Sequence, residues 1–298
     1  MIVIPPVTVT PAMLISSNAV NEPAWVVGTT YALGAVVSRN NRKWESLQAG
    51  NVGKTPGAEP LWWLDSGASN RMAAFDVSPR TVTKAVGNLT MTIATGKRFT
   101  DLALLGVKGR RVILTLRDGP GGAIFFGPST ISTMSSAGTY WDFCFGDLGQ
   151  VTTASWKDLP SLSTAHATIE IETDSLTSVA EVGVVAIGRS LYIGEAQYGF
   201  STNFEDRGRY YDDIDGNPVA LDRGFSNGAS GVVQSTHQQY NGLVQFCRQY
   251  IGVPCIWLPV VDESLLAQSA VYGRFSSISI GIDGPSHITY NLEISGNV

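Results

Sequence analysis

The chain has 298 residues and a formal net charge of −5; 44% of residues are hydrophobic and only 15% are charged. At roughly 100–200 residues per domain, this length accommodates two or three domains. The acidic balance and the lack of any Lys/Arg run argue against nucleic acid as a partner, and no stretch of about 20 uninterrupted apolar residues is present to span a membrane.

Residues 1–21 read as an extended N-terminal arm. Pro5, Pro6 and Pro11 block helix and disfavour a central strand. The arm either reaches onto a neighbouring domain or subunit or forms an edge strand of the chain's own second domain. Its first residues lack a positive region and carry early prolines, so they are not read as a secretory signal.

Residues 22–66 are a distinct unit that holds four of the seven tryptophans, Trp25, Trp44, Trp62 and Trp63. Two β-prone pieces, YALGAVVS and RKWESLQ, flank a polar turn at Asn40-Asn41, which predicts a hairpin. A unit of about 45 residues has little core of its own, so its large aromatics must supply most of the buried area.

Residues 67–190 alternate short strands with Gly, Asp, Pro or Ser. LTMTIAT, TDLALLGV, RRVILTLRD, AIFFG, TYWDFCFG, ATIEIETD and VGVVAIG predict a β-sandwich. ATIEIETD alternates strictly, as a strand with one wet face does, whereas VGVVAIG is apolar throughout, as a strand covered on both faces is. DGPGG at 118–122 lacks a following Lys-Ser/Thr and reads as a hairpin loop, not a phosphate cradle. Glu170 and Glu172 fall two apart on one solvated strand face.

Residues 191–298 predict an α+β domain. RGRYYDDIDGNPVALDRGF reads as a hairpin turning at Asp215-Gly216-Asn217. QSTHQQYNGLVQFCRQYIG is the best helix in the chain, with Ser235 or Thr236 as candidate caps and Leu243, Phe246, Cys247 and Tyr250 on one face. The strands CIWLPVV, VYGRFSSISIGI and ITYNLEISG follow. The expected fold class is therefore mainly β: a small three-stranded aromatic-rich module, a β-sandwich, and a C-terminal domain with one helix on an antiparallel sheet.

The sharpest site candidates are Trp25, Tyr31, Trp44, Trp62 and Trp63, because flat aromatic faces stack on sugar rings. The competing reading makes the same residues the core of a tiny domain, and by size two or three of them must be core. Asp213, Asp215 and Asn217, with Asp212, place oxygen ligands at the alternating spacing of a Ca²⁺ loop, but the closing Glu is missing and the hairpin turn is the stronger reading. His166, His237 and His287 lie far apart and show no zinc-ligand spacing. The three cysteines, an odd count, give no disulfide framework, and Cys144 and Cys255 read as buried small hydrophobes. No nucleophile elbow or zinc-protease motif occurs, so no catalytic residue, metal or cofactor is assigned and the chain is read as a non-enzyme.

The span from Trp25 through Tyr31-Ala-Leu-Gly34-Ala-Val-Val37, Trp44-Glu45 and Pro56 to Trp62 resembles the chitin-binding-type modules of carbohydrate-binding families 5 and 12. Trp44 departs from that pattern, where Tyr is commoner. GASNRMAAFD after the module, and ALDRGF, VYGRFSSISI and LEISG further on, resemble segments of tail-tip, baseplate and distal-tail proteins of long-tailed bacteriophages. That resemblance implies a structural virion protein, made in the host cytoplasm. Its partners would be copies of itself in a ring or collar and other tail proteins of the tube, hub and fibres, and it would contact host cell-surface glycan through the module. The alternatives are a glycan-recognising receptor-binding protein and a glycan hydrolase carrying a binding module.

Overall fold

The structure is a computed structural model that describes residues 1–78, 80–134, 139–146, 149–212, 217–221, 225–259, 270–281 and 286–296, with backbone alone at 142, 143, 276 and 277. The fold is mainly β, with 51% strand against 8% helix. It divides into two compact units, one of Thr8–Val185 and one of Met1–Val7 with Ala186–Val298.

The N-terminal arm is shared between these units. Strand β1 (Ile2–Ile4) belongs to the C-terminal sheet and β2 (Leu14–Ser17) to the large sheet of the other unit. Pro5 and Pro6, which have no N–H to donate, follow the last residue of β1. Pro11 lies in a turn closed by Met13 N donating to Thr10 O at 2.9 Å.

Within the first unit, the Trp-rich module is a three-stranded antiparallel sheet of β3 (Val36–Arg39), β4 (Arg42–Ser46) and β5 (Trp63–Ala68). Asn40 and Asn41 turn between β3 and β4 with φ of 53° and 59°, the left-handed pair that a two-residue hairpin requires and that Asn tolerates. The chain enters and leaves the module at one neck. There Asn70 Nδ2 donates to the carbonyls of Val20 at 2.7 Å and Lys84 at 2.9 Å, while its Oδ1 accepts from Lys84 N at 2.9 Å. Asn21 Oδ1 accepts from Arg71 N at 2.9 Å, which ties the two crossings together.

The sandwich comprises β6 (Thr83–Val86), β7 (Leu89–Ala94), β8 (Asp101–Leu105), β9 (Arg111–Asp118), β10 (Ile124–Ser132), α1 (Tyr140–Phe145), β11 (Ala154–Trp156), β12 (Ala165–Glu172), β13 (Val179–Val182) and β14 (Val184–Gly188). Its main sheet runs β10-β9-β12-β7-β2, and a three-stranded sheet runs β11-β8-β14. Strands β7 and β12 alternate buried and half-buried along their whole length, whereas β14 is buried throughout, each as its residue pattern predicts. The 118–122 loop closes the β9–β10 hairpin, and a Cβ at Gly122 would run into the Asp118 carbonyl.

Two expectations for this region are corrected. TYWDFCFG forms α1, not a strand, and Cys144 on it is exposed, not buried. Aromatic density favours a strand by propensity. In the helix, Trp141 and Phe145 meet one turn apart, with ring centroids 4.6 Å apart.

The second unit contains β15 (Leu191–Tyr192), β16 (Glu195–Ala196), β17 (Ser201–Asp206), β18 (Arg209–Asp212), β19 (Pro218–Leu221), β20 (Phe225–Thr236), α2 (Tyr240–Tyr250), β21 (Cys255–Leu258), β22 (Val271–Gly281) and β23 (His287–Gly296). Its sheet runs β15-β1-β21-β22-β23-β20-β16, with β17 also on β20. Helix α2 buries Leu243 and Phe246 and packs Cys247 and Tyr250 against the same core. Phe246 stacks on Phe275 at 5.6 Å and meets Trp257 edge-on at 5.9 Å. The Trp257 Nε1 donates to Gly273 O at 2.8 Å, so the buried indole loses no hydrogen bond. The expected side-chain cap is not made: a 3₁₀ turn (His237–Gln239) precedes α2, and neither Thr236 nor Gln239 caps through its side chain.

Candidate carbohydrate-binding site

The module sheet sorts its residues by face. Val37 lies opposite Trp44 and Ser46 opposite Trp63, so these four share one face. The other face carries Val36, Glu45 and Leu64, of which the two aliphatics are exposed.

The five predicted aromatics take different positions. Trp63 is core: it is 2% exposed, meets Tyr31 edge-on at 5.3 Å and donates Nε1 to Lys54 O at 2.8 Å. Tyr31 is half-buried and its hydroxyl accepts from Val26 N at 2.7 Å. Asn51 is fully buried, exchanges backbone hydrogen bonds with Tyr31 and donates Nδ2 to Ser46 Oγ at 2.9 Å.

Trp25, Trp44 and Trp62 are half-exposed. The guanidinium of Arg39 lies 5.0 Å from the Trp25 ring centroid, and the ammonium of Lys54 lies 5.5 Å from that of Trp62. Arg39 Nη1 donates to Pro56 O at 2.7 Å, and Trp44 Nε1 donates to Arg39 O at 3.3 Å. Gly57, at φ +88°, brings the backbone against Trp44, where a Cβ would lie 3.3 Å from Cη2. Trp25, Arg39, Trp44 and Pro56-Gly57 thus form one cluster, and Tyr31, Trp63, Asn51, Lys54 and Trp62 a second. Residue types alone did not mark Arg39 and Lys54 as site residues. The one available signal was Arg39's position two residues after Val37, on the same strand face.

Of the proposed Ca²⁺ ligands, Asp213 and Asp215 lie outside the described residues. Asn217 immediately precedes β19, and Asp212 pairs with Pro218 across the β18–β19 hairpin. Among the described residues no group of three or more His, Cys, Asp or Glu is placed to hold a metal ion. His237 and His287 do become neighbours, since Thr236 pairs with His287, while His166 lies on β12. No helix among the described residues is long and apolar enough to cross a membrane. Comparison with protein-family models and with curated protein sequences finds no match for the chain.

Proposed function

We propose that this chain is a non-enzymatic structural protein of a bacteriophage tail tip or baseplate. In this reading it self-associates, holds other tail proteins, and presents the Trp-rich module to host glycan. The observation that best supports an assembly role is the solvent-facing hairpin region of the second unit. Phe204 on β17 and Phe225 on β20 are 70% and 63% exposed, with ring centroids 6.3 Å apart. Tyr210, Tyr211 and Leu221 on the adjoining β18–β19 hairpin are also exposed. A two-stranded hairpin is marginal in water on its own, and exposed aromatic rings in contact with each other suit a docking face. The low charge of the chain favours the same reading, because large covered surfaces are depleted of charge. A cyclic oligomer repeats one such interface around its axis.

Immunogold electron microscopy of the parent particle with antibody to the chain tests this reading. Gold at the tail tip is the expected result, and no gold on any particle overturns it. A receptor-binding role is favoured by the three half-exposed tryptophans. If it holds, Trp25→Ala or Trp62→Ala abolishes host adsorption while particles stay intact; unchanged adsorption rejects it. A cleared band in a zymogram on host cell wall would instead make the chain a glycan hydrolase.

A further inference from the structure

We infer that the Trp25–Arg39 cluster selects an acidic glycan, one whose sugars carry carboxylate or phosphate, over a neutral one. This inference rests on the glycan-binding reading of the module and names the ligand class of that same site.

Donors outnumber acceptors at this cluster. The Trp25 Nε1 meets no acceptor among the described residues but is itself shut off from solvent, so the donors a ligand can reach here are those of the half-exposed Arg39. Arg39 lies over the same ring, and its hydrogen bond to Pro56 O uses one of its five N–H donors. No carboxylate among the described residues pairs with Arg39. Two neighbouring cations differ. Arg42 is held by Asp65 at 2.6 Å, and Lys54 over Trp62 is held by Glu59 at 3.4 Å. Lys108, Arg110 and Arg111 are likewise matched, by Glu181, Asp174 and Glu172. Among the described residues, the Arg39 cluster joins a guanidinium that has no carboxylate partner to half-exposed indole surface.

A neutral sugar offers hydroxyls that donate as readily as they accept, and it would have to stack where the guanidinium already covers Trp25. An acidic sugar supplies oxygens that only accept, in the geometry that the planar fork of Arg binds with two parallel bonds. Trp44, held against Gly57, is then the neighbouring platform for the rest of the ring. Lys43 lies opposite Ser38, on the other face of the sheet from Arg39, and is outside this site.

The test is affinity electrophoresis of the full chain through gels containing polygalacturonate or neutral glycol chitin. Polygalacturonate should retard the chain more strongly, and added salt should weaken that retardation. Arg39→Gln should lower polygalacturonate affinity roughly tenfold, while Lys43→Gln stays within about twofold. The salt dependence of the unaltered chain is an independent readout, needed because Arg39 also anchors Pro56. Equal, salt-insensitive retardation by both polymers, or equal losses in the two variants, overturns the acidic-glycan assignment and leaves glycan binding standing. Retardation by neither polymer overturns both.

Discussion

At the residue scale, adjacent tryptophans have separate jobs. Trp63 fills the module core, and its removal leaves a cavity and an unpaired Lys54 carbonyl. Trp63→Ala should cost about 3–5 kcal/mol, whereas the half-exposed Trp62→Ala should cost well under that. Denaturant titration of the two variants checks the contrast, and equal losses would show Trp62 to be core as well. The cysteines separate in the same way. Burial pushes the Cys255 thiol up to about 12 and raises Cys247 too, while Cys144 is exposed. A disulfide reagent at pH 8 should label Cys144 rapidly and Cys255 only after unfolding. The folded chain holds the Cys255 proton more tightly than the unfolded chain does. That contribution to stability is therefore fully present below the ordinary thiol range and is lost as pH rises from there towards 12. A melting temperature flat across that alkaline window would contradict it.

At the element scale, local chemistry decides some structures and remote partners decide others. The Asn40-Asn41 turn was legible because Asn accepts the positive φ that a tight hairpin demands. Asn41→Gly should stabilise the chain by a few tenths of a kcal/mol, and Asn40→Val should destabilise it by about 1–2 kcal/mol. Thermal melts read both, and a neutral Asn40→Val would mean the turn has another geometry. Strands β7, β12 and β14 were legible from apolar spacing. Helix α1 was not, because a short aromatic run satisfies strand and helix patterns alike and the i,i+4 ring contact appears only once it is coiled. Nor was the neck, since Asn70 finds its partners at Val20 and Lys84, 50 and 14 residues away in sequence.

At the scale of the whole molecule, chain order and spatial order diverge. The first strand, β1, pairs with β15 and β21, so Met1–Val7 groups with residues beyond Ala186. Val3 is completely buried there. Val3→Asp should cost several kcal/mol by placing a charge in that core. Hydrogen exchange should show lost protection in β21, β22 and β23 while β7, β9 and β12 keep theirs; uniform loss would mean that the two units unfold as one. The sequence by itself determined the β-rich class, the three-stranded module and the single helix on the C-terminal sheet, because residue periodicity and turn chemistry act over a few residues. Only the tertiary structure decided which aromatics are core and which carry a cation, and where the N-terminal strand lies. Those outcomes depend on contacts between distant segments, which no local pattern encodes.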